Sequence, residues 1–529
     1  MKFKFKLRSE NLKKRSEVWP LEQKPPRGRH KPLLFFSTTY GAAKIFFGNL
    51  KKSYLLMTKR ERIGAIVLLV VGVSLLGYKS YKNYLNTTVS RPAAGGEYSE
   101  VMVGDVKFLN PVAAQSDAEK SVSKLMFQGL VRITDPNTIV PDAAESYSVS
   151  TDGKKYTFNL KKNIRFSDGQ PLTAKDIAYT ISIIKAPELK SPLQKTWTGV
   201  EVTPIDDYTV EFDLTTAYGP FIYNCDFGII PSYLTSDDFA KKLTGSGPFQ
   251  YLKSISSGGK ITEVDLARND SYSGAKPYLD TVKLTFQSNE TDAINQFKTD
   301  NNTNAIFAAP NIGPFGTDQS AEAKLDYSSS RQLGLIFNLR QDALKDQAIR
   351  TKILTGGHFD SPLSLAIATL DTPVQRTKGE ELKQRFEAEN LKIQINYFSN
   401  ADFQDHIVKK DYDLVLYGFD FGNDRDPYAF WHSSQLNDLN LAGWSDKASD
   451  ILMEDARMLP DASARNAKYA VVFDTIKNNY IAEFYVPTLY NFSVKSKVKG
   501  IVPITGTQVY SRFDTIGQWY IKEKRVRKP

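Results

Sequence analysis

From Ile63 to Tyr78 the chain reads IGAIVLLVVGVSLLGY without one charged residue. A helix of that make-up has no polar face to turn toward water, which argues against a place in a soluble core. The run is shorter than the roughly 20 residues that cross a hydrocarbon core. Lys79 and Lys82 can snorkel while Tyr81, Tyr84 and Leu85 continue the helix, so a single span from about Arg62 to Leu85 is expected. Residues 1–62 carry 17 Lys and Arg against 4 Asp and Glu. By the positive-inside rule this leader stays in the cytoplasm and everything beyond residue 85 is exported. A cleavable signal starting at Met57 is the rival, but no small-x-small site follows the run and Lys79 stands where processing would fall. An uncleaved signal anchor over 63–85 is therefore expected, with no lipoprotein cysteine to replace it. Ala43, Phe46, Phe47, Leu50 and Tyr54 recur beside Lys44, Lys51 and Lys52, as in a helix lying on an anionic leaflet; a disordered tail fits equally. Residues 86–96, rich in Thr, Ser, Pro, Ala and Gly, read as a linker.

The net charge of +10 belongs to that leader, because the rest of the 529-residue chain is about −3. No nucleic-acid partner is expected of such a body. Cys225 is the only cysteine, which excludes intrachain disulfides and thiolate zinc sites. His30, His358, His406 and His432 are too scattered for a metal cluster or a relay, so no metal or other cofactor is expected.

From about Glu97 short strands and helices alternate, as in a packed α/β structure. Tyr156, Phe158 and Leu160 alternate with polar residues over 155–161, and Val210, Phe212 and Leu214 do so over 209–214: two half-buried strands. Thr173-Ala-Lys-Asp176 is a capping box opening a helix whose Ile177, Ile181 and Ile184 share a face. Later, Leu391 to Tyr397, Ala401 to Lys410 and Asp413 to Tyr417 make a β-α-β unit, expected to hold parallel strands with a right-handed crossover. Ligands of open α/β sheets bind beyond the carboxyl ends of such strands. There the chain places Gly418-Phe-Asp-Phe-Gly-Asn-Asp-Arg-Asp-Pro-Tyr-Ala-Phe-Trp431.

No phosphate loop, Gly-x-Ser-x-Gly elbow or His-Glu-x-x-His motif is present. Asp420, Asp424 and Asp426 alternate with aromatics rather than with nucleophiles or metal ligands, so an enzyme is not expected. The same residues suit binding: a carboxylate accepts charge-assisted bonds from an ammonium, and Phe419, Phe421 and Trp431 offer apolar walls. Asp426-Pro427 also opens turns, and Phe430 and Trp431 also suit a core.

Several ordered blocks resemble the family 5 solute-binding proteins, the peptide, nickel and oligosaccharide receptors of ABC importers, over about Glu97 to Ile501. They are Asn110-Pro with Ser116-Asp117-Ala, Phe127-Gln-Gly-Leu130, Pro141-Asp-Ala-Ala-Glu-Ser146, and Ser150-Thr-Asp-Gly153. Tyr156-Thr-Phe-Asn-Leu-Lys161 and Ile164-Arg-Phe-Ser-Asp-Gly-Gln-Pro-Leu-Thr-Ala-Lys-Asp176 are the most distinctive. Gly245-Ser-Gly-Pro-Phe249, Arg268-Asn-Asp-Ser-Tyr272, Lys276-Pro-Tyr-Leu-Asp280 and Tyr412-Asp-Leu-Val-Leu-Tyr-Gly418 follow in order.

The resemblance implies a two-lobed periplasmic-binding-protein fold of α/β class, hinged so that it closes over ligand. Crossings are expected near Arg331 to Leu335 and Phe484 to Tyr490. Lobe I is then 97–332 with 489–529, and lobe II is 333–488. Implied ligand contacts are Ser116, Asp117, Gly247 and Pro248 on one side and Asn423 with the loop residues above on the other. In peptide-binding members an Asp four residues before the loop proline is similar to a clamp for the ligand's α-amino group; here that place is Asn423, and Asp424 or Asp420 is the expected substitute. The stretch Ile349 to Thr377 is shorter than the family's usual insertion, which implies a smaller or more open floor in lobe II. The expected protein is a monomeric peptide receptor on the extracytoplasmic side of the cell membrane, partnered by an ABC permease and ATPase. Other solutes, or a tethered interaction or sensory role on the same fold, are the alternatives.

Overall fold

The computed structural model describes residues 56–135, 138–308, 321–328, 331–388, 391–485, 489–502 and 508–528. The leader helix expected around Ala43 to Tyr54 lies outside the described residues, as does part of the second expected crossing, at 486–488.

The apolar run lies inside a helix, Lys59–Thr87, of 29 residues. Thr58 and Glu61 cap it reciprocally: the Glu61 carboxylate accepts from the Thr58 backbone N–H at 2.8 Å, and the Thr58 hydroxyl from the Glu61 N–H. At 1.5 Å per residue such a helix exceeds a hydrocarbon core of ~30 Å. It is long and apolar enough to cross a membrane. The expected linker takes a different form, because the helix continues to Thr87 and Thr88–Ala93 is a strand. Its Thr-Val-Ser start suits an extended backbone, and the Ser90 hydroxyl donates to Glu523 of the strand Lys522–Arg527 at 2.8 Å.

Among the described residues the α/β body holds three larger sheets. The first has seven strands, with Glu97–Val103 near its centre, parallel to both Thr281–Gln287 and Ala305–Ala308. Lys260–Arg268 and Phe249–Ser257 extend one side; Leu489–Lys495 and Ala321–Ser328 extend the other. Across the buried face of the central strand lies a fully buried ion pair, Arg512 Nη2 to Glu100 Oε1 at 2.6 Å, both side chains 0% exposed. Arg512 also donates to Ser121 Oγ at 3.1 Å and the Val509 carbonyl at 2.7 Å, and the Tyr98 hydroxyl donates to Glu100 at 2.5 Å. Strand, helix Asp117–Met126 and the C-terminal segment Val509–Gln518 are thus tied at one point.

The second sheet is antiparallel, in the order Ala144–Val149, Lys155–Leu160, Thr209–Leu214, Val200–Asp206. The two alternating strands read from the sequence are both in it, with Tyr156, Phe158, Val210 and Phe212 at most 1% exposed. The helix after the Thr173 cap, Ala174–Lys185, buries Ile177, Ile181 and Ile184 against this sheet's core. The third sheet runs Leu391–Phe398, Leu363–Leu370, Leu414–Asp420, Arg331–Phe337, Ala482–Phe484. Its expected β-α-β strands are in one parallel set but are not neighbours, because Leu363–Leu370 lies between them, parallel to each. That strand reads LSLAIATL, an apolar run without alternation, as a strand covered on both faces should. The chain passes from the first sheet to the third between Ser328 and Arg331, and returns between Phe484 and Leu489.

Removing Arg512 while Glu100 stays buried leaves an uncompensated carboxylate. Arg512→Leu is expected to lower unfolding stability by about 3–5 kcal/mol, read from the urea midpoint, and Glu100→Gln in the same chain to restore part of that loss.

Candidate functional site

The first crossing carries Arg331, and three residues singled out in the sequence converge there. Its guanidinium grips Asp117 in a fork, Nη1 to Oδ2 at 2.7 Å and Nη2 to Oδ1 at 2.9 Å, while Nε lies 3.5 Å from Asp420 Oδ2. Asp117 opens the helix Asp117–Met126, for which Ser116 is the cap: its hydroxyl accepts from the Glu119 N–H at 3.2 Å and donates to the Asp105 carbonyl at 3.1 Å. Asp420 ends the strand Leu414–Asp420 of the third sheet. One arginine therefore joins a helix packed on the first sheet to a strand of the third. Its pairing with Asp117 spans 214 residues of sequence, which no local pattern discloses.

The loop beyond Asp420 turns its residues to different tasks. Gly422 and Arg425 both have positive φ, +65° and +56°, and Arg425 lacks glycine's freedom there. Asp424 is 8% exposed. One of its oxygens accepts from Arg465 Nε at 2.8 Å and Nη2 at 2.5 Å, the other from the Tyr469 hydroxyl at 3.3 Å. Burial pushes its pKa up while Arg465 opposes the shift. Asp426 lies 2.9 Å from Arg457 Nε and caps the Tyr428 N–H at 2.9 Å. Phe419, Phe421 and Trp431 are at most 6% exposed. They stack among Phe430, Phe473 and Phe484, with Phe419 and Phe421 parallel at 5.1 Å between centroids. Phe419 on the strand and Phe421 just past its end point into the core, and Trp431 joins them from the short helix Tyr428–Trp431. Gly247 lies against the end of the helix Asp117–Met126, where a Cβ would meet the Met126 carbonyl carbon at 2.5 Å.

Asn423 lines a cavity of about 180 Å³. The same cavity is lined by Lys120 and Lys124 of the helix Asp117–Met126, Trp197, Asn224, Asp226 and Tyr510. A second cavity of about 550 Å³ shares Lys124 and Phe127 and is lined by Pro248, Arg132, Asp142 and Asp514. Lys124 lies 3.1 Å from Asp514 and 3.4 Å from Asp226, with the three side chains 3–13% exposed. Burial works against the Lys124 ammonium, but Asp226 and Asp514 outweigh it and hold its pKa above the usual lysine value. Burial pushes Asp226 up to about 6; Lys124 opposes this, and Asp514 and Asp142 add to it. Sequence reasoning passed over this cluster. The available signal is Asp226 itself, the lone acid in Phe221-Ile-Tyr-Asn-Cys-Asp-Phe-Gly-Ile-Ile230, since a charge inside an apolar run needs a partner.

The segment Gly219–Cys225 presses on the turn after the helix Lys447–Met458. A Cβ on Gly219 would stand 1.8 Å from the Leu459 carbonyl oxygen. Arg465 lies over the Tyr223 ring at 5.7 Å and Arg457 over Tyr218 at 5.0 Å. Cys225, at the end of this segment, is buried, and its thiol pKa is driven well above normal by that burial.

Comparison with known proteins gives a consistent result. Residues 138–355 match the family described as bacterial extracellular solute-binding proteins, family 5 Middle. The oligopeptide-binding protein AppA of Bacillus subtilis is 22% identical over 499 residues, covering 78% of this chain and 90% of that protein. The probable D,D-dipeptide-binding periplasmic protein DdpA of Escherichia coli is 24% identical over 475 residues, covering 75% and 90%. Among solved structures, the ABC transporter substrate-binding protein CtaP of Listeria monocytogenes superposes with a TM-score of 0.70 at 20% identity, covering 81% of this chain and 99% of that one. NikZ of Campylobacter jejuni, in complex with Ni(L-His), gives 0.64 at 19% identity, covering 80% and 99%. The shared fold is the two-lobed periplasmic-binding-protein fold.

Two outcomes follow from this geometry. Gly219→Val cannot keep its contact with Leu459, so amide hydrogen exchange over Gly219–Cys225 is expected to rise by at least about tenfold while the strand Lys155–Leu160 is unchanged. Asp226 has a folded pKa above its unfolded one, so its contribution to stability is full below about pH 4 and is lost as pH rises through about 6. Asp226→Asn cannot ionise; its melting temperature relative to the unaltered chain is expected to rise between pH 4 and pH 7.

Proposed function

We propose that the chain is a family 5 extracellular solute-binding protein that captures peptides between two lobes and hands them to the permease of an ATP-driven importer. Family members are transport receptors, and this one is not an enzyme. The lobes are 97–332 with 489–529 and 333–488, and the hinge is the pair of passages between the first and third sheets. The observation that carries this reading is the cavity lined by Asn423 together with Lys124, Trp197 and Asp226. A ligand there touches the helix Asp117–Met126, packed on the first sheet, and the loop that follows the third sheet's strand Leu414–Asp420, which is what a closing receptor requires.

The loop carboxylates fit binding better than proton chemistry. Asp420, Asp424 and Asp426 each face an arginine, and a carboxylate so held serves as a fixed charge. Peptide is favoured as the ligand because the relatives include an oligopeptide-binding and a dipeptide-binding protein. The likeness to NikZ with Ni(L-His) supports a second reading, a small chelate. The helix Lys59–Thr87 acts as the membrane anchor, with the basic leader inside and the body on the extracytoplasmic face.

Native mass spectrometry of the full chain, extracted in detergent from cells grown on a peptide-rich medium, tests this. A ladder of co-purified peptide masses is the expected result. A metal chelate would move the assignment to the second reading, and an empty protein whose melting is unmoved by peptide mixtures would remove peptide transport.

A further inference from the structure

The strand Lys522–Arg527 and the residue after it read KEKRVRK, five basic residues against one acidic, although the chain beyond residue 62 is about −3 as a whole. All six charged residues are exposed. The lone acid is already engaged: Glu523 accepts from the Ser90 hydroxyl at 2.8 Å and from Lys499 Nζ at 3.0 Å. Lys522, Lys524 and Arg527 have no ion pair among the described residues. Like charges crowded on one strand repel, and an anionic surface laid against them relieves that repulsion.

Lys524 also lines a pocket of about 420 Å³, within the ~300–1,000 Å³ range of small-molecule sites. The lining includes two further cations, Arg268 and Lys276, one acid, Asp270, and apolar surface from Pro92 and Tyr278. Asp270 lies 3.7 Å from both Arg268 Nε and Lys276 Nζ, and Asp280 lies 3.0 Å from Arg268 Nη1. Three cations thus meet two carboxylates, and Lys524 pairs with neither. A ligand with one negative charge and an apolar flank suits that lining, and an anionic phospholipid has that make-up: a phosphodiester followed by acyl chains.

The chain brings these residues to the bilayer that the helix Lys59–Thr87 is read as crossing. About twenty residues fill a hydrocarbon core, and counted from Ile63 they end at Lys82. The remaining five, to Thr87, rise about 7.5 Å, roughly the depth of one headgroup layer. At that helix end the Lys528 backbone N–H donates to the Thr87 carbonyl at 2.9 Å. Pro92 of the pocket follows Thr87 by five residues, so chain length alone keeps it within about 18 Å. In sequence the basic strand lies far beyond the span, where the positive-inside rule no longer counts charges.

We propose that the pocket of Lys524, Lys276 and Arg268, with the strand that carries Lys524, binds the phosphate headgroup of an anionic phospholipid, so that lipid as well as the helix holds the body at the membrane. This rests on reading Lys59–Thr87 as a membrane span. Each Lys or Arg brought near an anionic surface adds to such binding.

The test uses the full chain in lipid nanodiscs, released into a mass spectrometer so that retained lipids are counted. Discs of phosphatidylcholine alone ask whether the chain enters a bilayer; discs of equal phosphatidylcholine and phosphatidylglycerol ask which lipid it keeps. The unaltered chain is expected to enter both and to keep phosphatidylglycerol over phosphatidylcholine by about tenfold or more. Lys276 and Lys524 are exposed, so neutralising them leaves the fold intact. Lys276→Gln with Lys524→Gln is expected to remove most of that preference, and Lys276→Arg with Lys524→Arg to keep it. Lys79→Gln with Lys82→Gln, in the helix itself, is expected to leave it unchanged, and inorganic phosphate at constant ionic strength to displace no lipid. Equal retention of the two lipids, a preference that survives the glutamine pair at 276 and 524, or one lost with Lys79 and Lys82 would overturn the assignment. Release of lipid by inorganic phosphate would also overturn it, making the pocket a site for the free ion. A chain that does not enter even the phosphatidylcholine discs would instead sink the anchor reading, and this inference with it.

Discussion

The pair of Glu100 and Arg512 fixes what the rest of the body can be. A carboxylate and a guanidinium with no exposure attract each other strongly, but each has lost its hydration, so the pair is tolerable only because Tyr98, Ser121 and the Val509 carbonyl complete their bonds. That set of partners demands that the central strand of the first sheet, the helix Asp117–Met126 and the C-terminal segment Val509–Gln518 meet with little freedom. The same helix then delivers Asp117 at one end to the crossing and Lys124 at the other to the cavities. The same C-terminal segment delivers Tyr510 and Asp514. Site geometry is thus inherited from a bond made inside the core.

Charge is distributed so that arginines do structural work in the third sheet's helices and lysine does electrostatic work at the cavities. Arg465 and Arg457 are planar forks, each seated against a carboxylate and a tyrosine ring. Lys124 is a point charge, and a point charge between two acids can be shared but not doubled. Arg132 also acts on Asp514, so the acids at the cavities share their counter-charges, whereas Asp424 and Asp426 each face an arginine of their own.

Features with local causes were readable from the chain itself. The capping box at Thr173, the ridge of Ile177, Ile181 and Ile184, and the alternating strands around Phe158 and Phe212 depend only on neighbours a few residues away, and each is where its periodicity places it. The long apolar helix was legible for the same reason. Sheet order was not: Leu363–Leu370 slips between two strands that looked adjacent, because pairing is decided by distant backbone edges. The loop carboxylates illustrate the other limit. Asp424 looked available for an ammonium, but its partner Arg465 is 41 residues further on. Phe419, Phe421 and Trp431 looked like pocket walls and are core, since an aromatic side chain reads the same whether it faces a ligand or the interior. Lys124, Asp226 and Asp514 escaped notice because nothing in their separate surroundings says that they share a space.

The lone thiol gains a meaning from where it lies. Cys225 ends the segment that rests on Leu459, is buried, and has a pKa raised far enough to leave almost no thiolate at neutral pH. Alkylating reagents attack the thiolate, so they can reach this sulfur only during moments when the segment lifts and water enters. In a chain with a single cysteine, the rate of that reaction follows the share of time the segment is lifted, or the frequency of lifting once the reagent outpaces reclosing: a built-in gauge of breathing beside the cavity, needing no introduced label.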